Sequence, residues 1–310
     1  MQVEEYRGMG RKLLLLALGV LLPLSVAHGS TPVPAPSEIV VRGPIPPKEA
    51  RALARKFTRS AASGMIARWT DWLCFSVQGL TQEQSGALLS RIERNAADVG
   101  VRTIHDTSCT WNVLIGFAGD ADGFAAKLVK DHPGLLRDID KLGLASYHER
   151  NVLVTSRPIR WLPVERSVGS IGSGASIEQA SHIDDASHIT TNVRGDKIAE
   201  IIIIDPQRVD GISWQQLADY LTMVILTDPG MEDKFKDNRS VMSIFSARDR
   251  GEPGPAELTS TDRQVLRGYY RSDPYLPSDV QIGVIADALR TRPEQVADDV
   301  DTAGRGPAKK

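Results

Sequence analysis

Cysteine is scarce in this chain: Cys74 and Cys109 are the only two in 310 residues. Two sulfurs without a suitably spaced histidine exclude a structural zinc knuckle, and neither lies in a nucleophile signature. An excess of one charge is missing as well. With 37 basic against 39 acidic residues there is no global field to recruit nucleic acid or an anionic membrane. Apolar runs long enough to span a bilayer are absent after the first thirty residues, so no transmembrane segment is expected in the mature chain. The motifs that announce chemistry are missing too. H-E-x-x-H, the Walker A loop, the dinucleotide fingerprint G-x-G-x-x-G, the elbow G-x-S-x-G and C-x-x-C occur nowhere, which removes the commonest sequence-readable enzyme mechanisms. What remains is an ordinary globular composition, 41% hydrophobic and 25% charged, at a length that suits one large or two small domains.

The first informative positive feature is at the start. Arg7, Arg11 and Lys12 precede the apolar run Leu13–Leu22, Pro23 breaks that run, and Ser25-Val26-Ala27 supplies a small-residue cleavage site. This is the three-part build of a secretory signal peptide, whose apolar core of about 10–14 residues is short of the roughly 20 that a span needs. Residues 1–29 are therefore expected to be the signal, with a periplasmic or secreted mature chain. In an oxidising compartment the two cysteines have one pairing, Cys74 to Cys109. Closing that loop is worth about 3–4 kcal/mol on the chain-entropy model.

Residues 30–47 hold six prolines and read as a stiff tether. An N-terminal α/β subdomain is expected over 48–165. Ala50, Leu53, Ala54 and Phe57 recur at helical spacing, Trp72 to Val77 reads as extended, and Thr81 with Gln84 makes a capping box for a helix to Ala97 with the stripe Ala87, Leu88, Ile92 and Ala96. Gly100 closes that helix. Strands are expected at Val101–Ile104 and Asn112–Ala118, a helix from Asp122 to Lys130, another around Leu135–Leu142 and a strand at Asn151–Thr155. Residues 166–196 are rich in Ser, Gly, Asp and Thr and read as a flexible polar insertion. A C-terminal strand–helix subdomain follows over 197–292, opening with the apolar run Ile201–Ile204. Ser213 caps a helix with Trp214, Leu217, Leu221, Val224 and Ile225 on one face; Thr259 or Ser260 caps another to Tyr270, and Pro277–Leu289 gives a last one. Residues 293–310 form a polar tail expected to fray. Together these elements predict an α+β fold, a mixed sheet packed by amphipathic helices.

Candidate site residues are few. His182, Asp184, Asp185 and His188 offer metal ligands within seven positions, but in the polar insertion, where incidental composition explains them better. His105 with Asp106 and His148 with Glu149 could each pair a base with an orienting carboxylate, although adjacent residues in a turn rarely face one another. His132 before Pro133 reads as a helix terminator. Trp69, Trp72, Trp111, Trp161 and Trp214 are spread among the expected elements, as packing residues would be.

In the second half, Ile201–Ile204 before a helix at Leu217–Thr227, the triplet Ser243-Ile244-Phe245, and Leu258-Thr259 with Asp262, Leu266 and Tyr270 form a pattern. It resembles a group of uncharacterised exported bacterial proteins with a zincin-like layout, some described as lipoproteins. The resemblance covers roughly Ile198–Pro274, with a fainter echo in Arg68-Trp69 and the Asn112–Asp120 strand. Zincins carry two histidines at i and i+4 of the signature helix, with a glutamate between. Here that helix reads Gln215-Gln216-Leu217-Ala218-Asp219-Tyr220-Leu221-Thr222-Met223, and no lipid-accepting cysteine follows the signal. The resemblance thus implies a degenerate scaffold without its metal. No cofactor and no catalytic residue are expected. The reading is an exported, non-catalytic binding protein whose partner is a cell-envelope component or another exported protein; the alternative is a zincin-derived hydrolase using Asp219, Tyr220 and distant histidines.

Overall fold

The structure, a computed structural model, describes residues 45–58, 66–104, 109–131, 153–169, 193–231, 235–236 and 238–291. The described residues all belong to one compact unit. The expected signal, most of the tether, the helix at Leu135–Leu142 and the tail lie outside the described residues.

A six-stranded mixed sheet organises the chain, and its axis is β6, Val193–Ile204. β5, Ile159–Gly169, runs antiparallel along one edge of β6 from end to end. The other edge is shared by two parallel strands: β1, Ala67–Trp69, pairs with Gly195–Lys197, and β4, Val113–Phe117, pairs with Glu200–Ile204. Beyond β4 lie β2, Leu73–Gln78, and then β3, Thr103–Ile104, both parallel. Parallel neighbours need a crossover, and α2, Gln82–Ala97, supplies it between β2 and β3.

Both faces of β6 are covered, which is why Ile201–Ile204 reads as an unbroken apolar run and not as an alternation. Ile202 and Ile204 join the main core with Leu88 and Ile92 of α2 and Leu217 and Leu221 of α4, Trp214–Leu226. Ile201 and Ile203 face the other way, onto Ala121 and Ala125 of α3, Ala121–Asp131. α1, Pro47–Lys56, packs on α7, Ser278–Arg290, and α7 packs on α6, Ser260–Arg271. A 3₁₀ turn at Val241–Ser243 leads into the short α5, Ile244–Asp249.

Local sequence explains the helix starts. Thr81 with Gln84, Ser213 with Gln216 and Thr259 with Asp262 each form a complete capping box, satisfying amide donors that a helix end leaves orphaned. Two glycines are required by close approach. Gly79 follows β2 at φ +84°, and a Cβ there would sit 2.3 Å from the Phe117 carbonyl oxygen. Gly268 lets α6 meet α7, since its Cβ would lie 2.8 Å from Ile285 Cα.

Several expectations change. The N- and C-terminal segments assigned to separate subdomains share one sheet, because β6, which opens the second, has β1, β4 and β5 of the first as its partners. The polar stretch is shorter than 166–196: β5 reaches Gly169 and β6 begins at Val193, so Arg194-Gly195-Asp196 is strand. Ladder bonds and the cover over β6 hold these polar residues where composition alone would leave them in a loop. The first helix stops at Lys56, and Thr58 forms an isolated bridge with Asp228. On α2, Ala87 is exposed and Asn95 is buried, so the inner stripe is Leu88, Ile92, Asn95 and Ala96. Leu153 and Val154 lie in a helical turn, not a strand. Trp214 is 45% exposed and leaves the packed face of α4 to Leu217, Leu221, Val224 and Ile225.

Two stability outcomes follow from this core. Leu221 is fully buried, so Leu221→Ala should cost about 2–5 kcal/mol in denaturant unfolding, the range for a core leucine; a change below that range would place α4 outside the core. The Cys74–Cys109 disulfide is formed across 35 positions, tying β2 to the segment before β4. Reduction should lower the unfolding free energy by about 3–4 kcal/mol, and an unchanged melt under reductant would contradict that role.

Candidate functional site

The helix that the resemblance singles out is α4, so its polar residues are the first candidates. From Leu217 to Leu226 every residue of α4 is buried. Asp219 is fully buried, and a carboxylate in such a place requires partners. It has four: Arg91 Nε at 2.7 Å and Nη2 at 2.8 Å, Asn95 Nδ2 at 2.9 Å and the Leu258 amide at 2.8 Å. Arg91 also reaches Glu257 at 3.2 Å. The bidentate fork and two further donors occupy both carboxylate oxygens and tie α4 to α2 and to the segment entering α6. Asn95 also donates to the Thr222 hydroxyl at 3.1 Å, and that hydroxyl donates to the Ala218 carbonyl.

Tyr220 lies in an aromatic row. Its ring meets Trp161 at 6.4 Å and Phe245 at 5.2 Å, both edge-on. Burial pushes its hydroxyl well above the ordinary phenol range, so it stays protonated at neutral pH.

The other residues of the pattern have similar fates. Ser243 donates to the Ser240 carbonyl, and Ile244 is core. Leu258 and Leu266 are core; Asp262 accepts from the Val241 amide and the Thr259 amide, each at 2.9 Å, joining the 3₁₀ turn to the start of α6. Tyr270 donates to the Leu226 carbonyl at 2.9 Å.

That last bond belongs to a polar lock at the end of α4. Lys197 is buried, and its ammonium donates to Glu200 at 2.8 Å and to the carbonyls of Ile225 and Thr227, each at 3.0 Å. Trp69 Nε1 donates to the Ile225 carbonyl at 2.7 Å. The carbonyls that a helix end leaves orphaned are thus answered from β1, β6 and α6, with a cation at the negative pole of the helix. Beside it, Arg68 donates to the Ser272 carbonyl and hydroxyl and to Gln281, joining β1 to the α6–α7 turn. Burial lowers its pKa.

At the carboxyl ends of the parallel strands, the usual place for ligands in open α/β sheets, the charges pair among themselves. Asp122 on α3 accepts from Arg160 and from the Ser156 hydroxyl at 2.5 Å, while Arg208 pairs with Asp205 at 3.3 Å. Trp214 stands over Phe117 at 6.3 Å. At the opposite rim, Trp72 and Trp111 are 50% and 47% exposed beside the disulfide, and Arg102 stacks on Trp72 at 5.4 Å.

The sequence candidates fare unevenly. Cys74 and Cys109 are joined, as expected from their isolation. His182, Asp184, Asp185 and His188, together with His105, Asp106, His132, His148 and Glu149, lie outside the described residues. Among the described residues no three of His, Cys, Asp and Glu gather as a metal site requires. Sequence reasoning missed Arg91, Asn95, Lys197 and Glu200. A signal for the first pair existed: an aspartate on a helix apolar all round must be buried, and a buried aspartate needs a cation. No family model, curated protein or solved structure matches this chain.

Asp219→Ala should cost about 3–5 kcal/mol, because it strands the Arg91 guanidinium, the Asn95 amide and the Leu258 amide. Chemical denaturation checks this. A variant as stable as the wild type would mean that Asp219 is not a structural tie.

Proposed function

We propose that this chain is an exported, non-catalytic binding protein of the cell envelope, built on a scaffold whose signature helix has become structural. One observation carries the reading: Asp219, the metal-capable side chain on α4, is saturated by Arg91, Asn95 and Leu258. Its neighbour Tyr220 is closed into an aromatic row, and Ser243, Asp262 and Tyr270 hold backbone together. A zinc helix must keep one polar face open to metal and water. The disulfide supports the export half of the reading, since such bonds persist in oxidising compartments. No helix among the described residues is long and apolar enough to cross a membrane.

Metal analysis of protein purified with zinc present tests the non-catalytic half. The wild type should hold no stoichiometric zinc, and a chelator should leave its melting curve unchanged. One equivalent of zinc that Asp219→Ala removes would overturn the reading in favour of a zincin-derived hydrolase. Export and envelope association are read separately, by the intact mass of the chain recovered outside the cytoplasm and by its sedimentation with isolated envelope. Removal of about 27–29 residues is the expected mass change.

A further inference from the structure

The outer face of α6 carries Arg263, Arg267 and Arg271, spaced i, i+4, i+8. These three side chains, with Ser260, Gln264 and Thr291, line a cavity of about 180 Å³ between α6 and the end of α7. Arg271, a cation in the last turn, suits the negative pole of the helix, but folding does not account for Arg263 and Arg267. Like charges four apart on a helix repel, and a cation in the first turn, where Arg263 sits, opposes the positive pole of the helix. No carboxylate among the described residues forms an ion pair with Arg263, Arg267 or Arg271. Asp98, at the end of α2, shares a smaller adjoining recess with Arg263 and Arg267 without pairing to either. Gln264 and Thr291 are linked across the lining, the Gln264 amide donating to the Thr291 carbonyl at 2.6 Å.

We propose that this cavity is a phosphate-binding site. Guanidinium forks match phosphate oxygens two at a time, and two arginines one turn apart can grip one group from both sides. Ser260 adds a hydroxyl donor at the mouth. The volume is several times the 10–15 Å³ or so that one water occupies, and Ala288 and the arginine stems give it an apolar wall. A phosphate on an organic carrier therefore fits better than a bare ion. The site gives the proposed binding function a ligand class and rests on that reading for its biological sense. Its residues are nevertheless separate from α4, so zinc content decides one and phosphate binding the other.

Calorimetric titration of the purified chain with inorganic phosphate at low salt, and sedimentation with phosphatidylglycerol or phosphatidylcholine vesicles, test it. Saturable binding should appear with phosphate, with the anionic vesicles, or with both, and should weaken as salt rises. The double variant R263Q/R267Q should weaken it about tenfold or more with an unchanged melting curve, while R55Q on α1 should leave it intact. Binding of anionic vesicles without a response to inorganic phosphate assigns the lipid headgroup as source; the reverse assigns a soluble phosphate. A wild type that binds neither, or a double variant that binds as well as the wild type, overturns the proposal.

Discussion

A buried ammonium holds the carboxyl end of the central helix. Lys197 comes from the middle of β6, where β1 ends and β4 has not yet begun along the same edge, and its charge lies against the last carbonyls of α4. An isolated buried cation would be costly, but Glu200, three residues on along β6, neutralises it and the helix pole favours it. Because the Ile225 carbonyl also takes Trp69 from β1, and the adjacent Leu226 carbonyl takes Tyr270 from α6, the position of α4 fixes three other elements. The Asp219 tie does the same at the middle of the helix, reaching α2 and the α6 entry. Two polar anchors set α4 in register, and the apolar contacts with Ile202 and Ile204 supply the area.

What the sequence discloses divides along that line. Helix caps are local, needing residues three apart: Thr81 and Ser213 start their helices as read, and of Thr259 and Ser260 it is Thr259 that caps. The disulfide followed from having one possible pairing. β1 was invisible because three residues, including Arg68, carry no periodicity, and its partners lie more than a hundred positions away. Arg91 and Lys197 were missed for a related reason. A charged residue in a helix or strand looks solvated until the fold places a partner against it, and Asp219 is 128 positions from Arg91.

The pattern residues of the second half have structural roles in this fold. Asp262 caps α6 and holds the Val241 amide, Tyr270 ends α4, and Phe245 packs on Tyr220. Residues of this kind keep the scaffold assembled.

The two faces of α6 show how far such reasoning extends. Asp262, Val265, Leu266 and Tyr269 are buried, and each is fixed by a cap, a core contact or a backbone bond. Their identities are dictated by the fold. Arg263, Arg267 and Arg271 lie on the remaining face, where the fold would accept almost any polar residue and mixed charge would serve stability better. Arg271 suits the negative pole of the helix, but Arg263 and Arg267 gain nothing from it, and these two are the ones the proposed phosphate site would explain. On α4 the polar residues are explained from within the molecule; on α6 no contact among the described residues explains Arg263 and Arg267.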